Sequence, residues 1–282
     1  MGECALNPAT MNEEAMELKP AEVVKKVAVV GGGIGGMEAA RLLKLRGHQV
    51  TLYEKSGELG GAFIAAAAPS FKEQDKKLLL WYKRQLKELD VDVRLNTAVD
   101  PAKVDELGAD AVIVATGAQP RKLPIPGFDG PNTIEAIDYL RDRKQAGDKV
   151  VIIGGGLTGC EIAYDLALKG KKPVIVEMQD DILKVPGLSA ANSNMLREII
   201  RYYGIEVRLS SSLKAITSTG VVLSEESGEV SLDADSVILS VGYVPEMKFN
   251  AEDPRVRVIG DAEKVGNLLT VIRAAYAAAY AI

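Results

Sequence analysis

The sequence predicts an α/β protein built from two copies of one strand–glycine turn–helix–strand unit. Three observations predict it. Residues 26–54 run from a valine-rich strand through Gly31, Gly33 and Gly36 to an acidic strand tip at Glu54. Residues 149–177 repeat that order with Gly154, Gly156, Gly159 and Glu177. Gly31 precedes Glu54 by 23 residues, and Gly154 precedes Glu177 by the same 23. A duplication with that internal spacing is a repeated domain of about 120 residues, not a short solenoid repeat.

The opening element justifies itself chemically. Lys26–Val30 is a short apolar run that suits a buried parallel strand. Gly31, Gly33 and Gly36 fit G-x-G-x-x-G, which needs glycine for a sharp turn, for close approach of a pyrophosphate, and for tight helix–strand packing. A helix over 34–46 follows, with Ile34 and Gly35 in its first turn. Its N-terminus offers backbone N–H groups and the positive dipole end to phosphates. His48–Tyr53 returns as a strand, and Glu54 at its tip suits the hydroxyls of an adenosine ribose.

Further along, 62–69 reads as irregular after Leu59-Gly60-Gly61. Residues 72–89 read as a helix, since Leu78, Leu79, Tyr82, Leu86 and Leu89 recur at helical spacing. Strands follow at 91–95 and 111–115, the latter ending in Ala115-Thr116-Gly117. Pro120, Pro124, Pro126 and Gly127 mark a stiff linker. The second copy then brings a strand at 149–153, a helix over 158–169 that opens on Thr158 and is preceded by Leu157, and a strand at 173–176. A helix near 191–203 and strands at 205–209, 219–224 and 229–232 lead to Leu239-Ser240-Val241-Gly242, the counterpart of 114–117. One more strand at 256–259 carries Gly260-Asp261 at its tip, and a helix over 267–280 follows.

Composition narrows the function. The 282 residues are 47% apolar and 26% charged, with a net charge of -5, so neither nucleic acid nor an anionic membrane is an expected partner. Two cysteines, Cys4 and Cys160, make no disulfide framework and point to a reducing, cytoplasmic setting. No apolar run is long enough to span a bilayer, and residues 1–20 contain four glutamates and no apolar leader core. Two dinucleotide sites in one chain suggest two cofactors that exchange electrons, the hydride chemistry being the cofactors' own. No catalytic triad, metal cluster or carboxylate pair stands out, so the expected catalytic residues are none.

At this point the chain resembles the flavoproteins with two dinucleotide-binding domains. The residues that carry the likeness are the two glycine motifs, Leu59-Gly60-Gly61, Ala115-Thr116-Gly117, Ser240-Val241-Gly242 and Gly260-Asp261. With Cys4-Ala5-Leu6-Asn7-Pro8, the Ala-rich run to Pro69 and Lys72, and Gly266-Asn267, it resembles the C-terminal half of Old Yellow Enzyme relatives. These include 2,4-dienoyl-CoA reductase, trimethylamine dehydrogenase and NADH-dependent enoate reductases. The resemblance implies two Rossmann-like three-layer domains, the NAD(P)H domain inserted in the FAD domain. The boundaries would be an arm at 1–23, FAD-domain pieces at 24–121 and 247–282, and the NAD(P)H domain at 122–246.

By the same resemblance FAD would be held by Gly31, Gly33, Ile34, Gly35, Gly36, Glu54, Lys55, Gly61, Ala115, Thr116, Gly117, Gly260 and Asp261. NADH would be held by Gly154, Gly156, Leu157, Thr158, Gly159, Glu177 and Gly242. Full-length relatives carry a barrel with FMN and a [4Fe–4S] cluster. Cys4 matches the last of four cluster cysteines, and one thiolate cannot hold a cluster. The expected function is therefore an NADH-oxidising FAD module that feeds electrons to an absent FMN/[4Fe–4S] barrel domain or partner protein; homo-oligomer formation stays open. Two alternatives stand beside it. One is a free-standing NADH oxidase or flavin reductase. The other is a structural nucleotide-binding half occupied by ADP without redox activity.

Several residues have plainer expectations. His48 is read as a solvated surface residue and Cys160 as a small packing residue. Trp81, Tyr82, Tyr276 and Tyr280 are read as packing groups, and Cys4 as a thiol on a loose arm.

Overall fold

A computed structural model describes residues 4–282; Met1, Gly2 and Glu3 of the expected arm lie outside the described residues. The chain divides into two compact units. The first runs from the described N-terminus through Ile64 and adds Gln74–Gln119 and Tyr243–Ile282; the second is Ala65–Glu73 with Pro120–Gly242. The expected first segment, 24–121, is thus interrupted at 65–73.

In chain order the first stretch holds β1 (Lys26–Val30), α1 (Ile34–Leu45), β2 (Gln49–Tyr53), α2 (Phe63–Ala66), α3 (Glu73–Glu88), β3 (Asp92–Arg94) and β4 (Ala111–Val114), with a 3-10 helix at Pro101–Leu107. Next come β5 (Ala118–Pro120), β6 (Thr133–Glu135), α4 (Ala136–Leu140), β7 (Lys149–Ile153), α5 (Leu157–Leu168), β8 (Lys172–Val176), α6 (Ala190–Tyr202) and β9 (Glu206–Arg208). The remainder is β10 (Ser212–Thr217), β11 (Gly220–Glu225), β12 (Gly228–Asp233), β13 (Ser236–Leu239), β14 (Tyr243–Pro245), β15 (Val256–Val258) and α7 (Leu268–Tyr280).

The first unit is a parallel sheet in the order β15-β4-β1-β2-β3. Its central strands read as unbroken apolar runs because both faces are covered. On one face α1, α3 and α7 bury Leu42, Leu43, Tyr82, Leu86, Ile272 and Ala275. The alanines of α7 let it lie close against α1. The other face has a smaller cover, where Val30, Tyr53, Val114 and Val256 of the strands cluster with Phe249.

The second unit repeats the plan as β6-β13-β7-β8-β9, also parallel. Its helices bury Cys160, Ile162, Leu166, Leu196 and Ile200. Its other face is roofed by the antiparallel meander β10-β11-β12, which lays Ile216, Val221 and Leu223 on Val151, Ile153, Val237 and Leu239. Both units are therefore Rossmann-like α/β layers, the fold class the motifs predict.

Six of these elements, α2, β5, β6, α4, β10 and β14, were not legible in the sequence; α2 is a single helical turn inside the stretch expected to be irregular, and β5 and β14 are three residues each. β6 and α4 lie just past the proline-rich linker, and both are short. β10 buries only Ile216 of its six residues, so no alternation shows.

The arm is seated rather than loose. Leu18 packs on the first unit's core, the Tyr280 hydroxyl donates to the Met16 carbonyl, and the Ala21 N–H donates to the Arg46 carbonyl at 2.8 Å. Among the described residues no helix is long and apolar enough to cross a membrane.

His48 is a second correction. It is 2% exposed, not solvated. Its Nδ1 accepts the Lys25 N–H at 3.2 Å, and its Nε2 has no hydrogen-bond partner among the described residues. Burial, then Arg46 and Lys25, lowers its pKa. Trp81 and Tyr82 are packing groups as expected. Tyr82 is buried, and Trp81 lies under the Arg41 guanidinium.

Candidate functional site

Each glycine of the first turn has its own reason. Gly31 sits at φ 107°, and a Cβ there would come 2.3 Å from the Ala115 carbonyl oxygen. A Cβ on Gly36 would come 1.9 Å from the Gly31 carbonyl oxygen, so this glycine lets helix and strand touch. Gly33 has an ordinary φ of -72°, and a Cβ there would meet nothing within 4 Å. Steric strain inside the fold does not require glycine at 33; the open space above it does, if a ligand must approach the backbone.

The second turn repeats all three relations. Gly154 is at φ 106°, with a built Cβ 2.2 Å from the Ser240 oxygen. Gly159 would meet Gly154 at 2.0 Å, whereas Gly156 would meet only Val185 at 3.7 Å.

Both helices start without a side-chain cap. The first intrahelical bonds are Met37 N–H to Gly33 oxygen at 2.9 Å and Cys160 N–H to Gly156 oxygen at 3.0 Å. The N–H groups of the preceding first-turn residues, Ile34 to Gly36 and Leu157 to Gly159, have no i−4 carbonyl partner. Together with the helix dipole they are suited to an anion.

The acidic strand tips do more than the spacing suggested. Glu54 is buried, and its Oε2 accepts the Gly32 N–H at 2.7 Å while Oε1 accepts the Ser56 N–H at 2.7 Å. Glu177 does the same with Gly155 at 2.7 Å and Gln179 at 2.9 Å. Each carboxylate clamps its glycine turn, and each oxygen keeps a further lone pair for a hydroxyl.

A second joint was missed in the sequence. Asn96 and Thr97 N–H groups donate to the Ser56 and Glu54 carbonyls at 2.9 and 2.8 Å. Ser210 and Ser211 donate to Gln179 and Glu177 at 2.8 and 3.0 Å. Asn96 and Ser210 both take left-handed conformations, φ 52° and 49°. A small polar residue just past a short strand was the only available signal.

The remaining expected residues fall into the same two sets. In the first unit the Gly60 N–H donates to the Gly32 oxygen at 2.8 Å, and a Cβ on Gly61 would sit 3.2 Å from the Gly33 Cα. Lys55 pairs with Glu246 at 3.6 Å, and the Thr116 hydroxyl donates to the Glu246 carbonyl at 2.9 Å. Ala115 follows β4 directly, and Gly117 has φ 79°. Val271 of α7 reaches both Gly35 and Gly260, which brings the α7 N-terminus beside that of α1. Asp261 accepts the Gly266 N–H at 2.9 Å, and burial raises its pKa. Asn267 caps α7 in a reciprocal box with Thr270. In the second unit Leu183 takes the place of Gly60, donating to the Gly155 oxygen at 2.8 Å, and Gly242 ends the segment after β13 at φ 88°.

The thiols differ. Cys160 is buried with its pKa pushed up to about 12, which makes it inert. Cys4 is half-buried, and the Leu6 and Asn7 amides lower its pKa. Among the described residues no three His, Cys, Asp or Glu side chains gather as a metal site.

This arrangement defines a class of protein, an oxidoreductase with two dinucleotide-binding folds. The chain belongs to the pyridine nucleotide-disulphide oxidoreductase family, whose profile it matches over residues 25–262. It is 46% identical to cinnamate reductase of Clostridium sporogenes over 278 residues, which is 97% of this chain and 42% of that protein. It is 37% identical to the NADH oxidase of Thermoanaerobacter brockii, with 99% and 44% covered. A 2-naphthoyl-CoA reductase complex superposes with a TM-score of 0.92 at 29% identity, over 99% of this chain and 43% of that one. The chain spans less than half the length of these relatives.

Proposed function

We propose that the chain takes hydride from NADH onto FAD and hands electrons on to an acceptor. The observation that carries this reading is the second glycine turn, built to the same tolerances as the first inside one chain. Two dinucleotides held by one polypeptide are useful chiefly for exchange between them. When bound, the flavin accepts the hydride and the nicotinamide supplies it.

The chain's own residues bind and orient. Open space above Gly33 and the first-turn N–H groups of α1 fit a pyrophosphate, and Glu54 fits a ribose diol. In this reading the FAD unit is 24–121 with 247–282, and 122–246 holds NADH through Gly154, Gly156, Gly159 and Glu177. The N–H groups of Leu268 and Leu269, left over by the Asn267 cap, favour negative charge on whatever faces them. Cys4 becomes one of four ligands of a [4Fe–4S] cluster only in a longer polypeptide, and an FMN-bearing barrel is the acceptor there.

The test is optical. Purified protein reconstituted with FAD is expected to show bound oxidised flavin and to bleach anaerobically with NADH. A protein that binds ADP but never flavin overturns the reading and favours a structural nucleotide-binding half. A second reading, an NADH oxidase, draws on the likeness to the T. brockii enzyme, of which this chain covers 44%. Oxygen uptake on NADH addition, at rates matching flavin reduction, is its expected sign.

A further inference from the structure

The Met178–Asp181 stretch contains no basic residue, yet three cations stand around the tip of β8. Each is held by its own acid. Lys184 Nζ pairs with Asp180. Arg197 of α6 pairs through Nη1 with Asp181 Oδ1 at 2.5 Å and donates through Nη2 to the Ile182 carbonyl at 2.5 Å. Arg208 pairs with Glu206 at 2.9 Å and with Glu225 at 3.1 Å.

Arg197 is the one tied to the nucleotide turn. Its carbonyl partner, Ile182, packs so closely on Gly155 that a Cβ there would come within 2.7 Å. The next residue, Leu183, donates to the Gly155 carbonyl, and Glu177 clamps the N–H of the same glycine. Arg197 and Glu177 both act on the Cys160 thiol in the first turn of α5. Arg208 is different. It leaves β9 on the meander side and is fixed there to β11.

We infer that Asp181 is a specificity-determining residue: it withholds Arg197 from a 2′-phosphorylated nucleotide and so makes the second unit selective for the unphosphorylated ribose. This rests on the proposed nicotinamide role of that unit. The loop carries Glu177, Asp180 and Asp181 against Lys184 and Arg197, one net negative charge. A 2′-phosphate meets that charge and finds both guanidiniums at the tip of β8, Arg197 and Arg208, already committed. Removing Asp181 neutralises the loop and frees a planar fork suited to phosphate. Selectivity then arises from a cation in custody, not from the absence of cations.

The experiment is calorimetric titration of the FAD-loaded full chain with NAD⁺ and NADP⁺, neither of which reduces flavin. Wild type is expected to favour NAD⁺ by tenfold or more. Asp181→Asn is expected to narrow that ratio about tenfold, mostly by tightening NADP⁺, and the effect should fade at high salt. Asp181→Asn with Arg197→Ala is expected to lose the gain. A ratio unchanged by Asp181→Asn, or a gain that survives removal of Arg197, overturns the inference while NAD⁺ binding stands. Absence of NAD⁺ binding in wild type overturns the nicotinamide reading itself, and this inference with it.

Discussion

The two units use one turn and finish it differently. In the first, Leu59-Gly60-Gly61 folds over the turn, and Gly33 and Gly60 form a β-bridge. In the second, Ile182-Leu183 occupies that place and is followed by Lys184, within a loop of charged pairs. The sheet faces differ as well. The second unit has a three-stranded roof, whereas the first leaves an open groove of about 470 Å³ beside Thr51, Tyr53, Arg94 and Val99. The lesson is that the turn depends on neither cover. Its geometry comes from contacts within strand, glycine and helix, so loops and roof are free to differ in what they admit.

The largest expected contrast lies in the buried charges. Glu38 of α1 is bidentate to Arg41 at 2.7 and 2.8 Å, and the Arg41 side chain is 14% exposed. Asp165 of α5 bonds Tyr139 and Lys169 at 2.7 Å each, but Lys169 is 56% exposed. Glu38→Ala strands a buried guanidinium and is expected to cost about 3–5 kcal/mol. Asp165→Ala is expected to cost about 1–3 kcal/mol, the loss of a partner to a buried hydroxyl. Urea unfolding with unchanged m checks both. Equal losses would show that burial of the cation is not the cause.

Next come the glycines themselves. Gly36→Ala and Gly159→Ala force a Cβ into a carbonyl and are expected to cost about 1–3 kcal/mol. Gly33→Ala and Gly156→Ala are expected to stay within about 0.5 kcal/mol of wild type, because nothing in the fold opposes the methyl. Their expected loss is in nucleotide affinity. Thermal melts paired with flavin and NAD⁺ titrations separate the two effects. A folded Gly33→Ala protein that keeps full flavin affinity breaks the assignment of the open space.

The acidic tips sharpen the comparison further. Glu54→Gln and Glu177→Gln each set an amide against a backbone N–H, and equal losses of about 1–2 kcal/mol are expected from the repeated geometry. FAD retention should fall only for Glu54→Gln and NAD⁺ affinity only for Glu177→Gln. A crossed pattern would reverse the roles of the units.

The smallest effect separates the units by pH. The chain's only histidine is His48 in the first unit. Burial holds its pKa below the unfolded value of about 6.5. The unfolded chain therefore takes up a proton first, and stability present above that value falls as pH drops toward the folded pKa. The slope cannot exceed about 1.4 kcal/mol per pH unit for one proton. His48→Asn keeps an acceptor for the Lys25 N–H and is expected to flatten the decline between about pH 7 and 5.5. A slope that persists would assign it to other groups.

Most of the skeleton was legible because it rests on local rules. Valine-rich runs, glycine spacing and an acid at the strand tip named β1, α1, β2 and their repeats, since each property acts within a few residues. The His48 error has the same origin. Its flanks, Gly47 and Gln49, are polar or small, and the long-range bond that goes with its burial, from the Lys25 N–H, has no signal in the local sequence.

The sequence by itself determined that two dinucleotide folds exist and where their turns lie, because only glycine satisfies a positive φ and a contact near 2 Å. Tertiary structure decided what those turns are attached to. It bent Glu54 and Glu177 back onto backbone N–H groups, joined Asn96 and Ser210 to the strand tips, and set Arg197 on Asp181 sixteen residues away. Such pairings depend on which side chain a helix carries to a loop in space. Spacing along the chain does not encode that, because the intervening segments differ in length between the two copies.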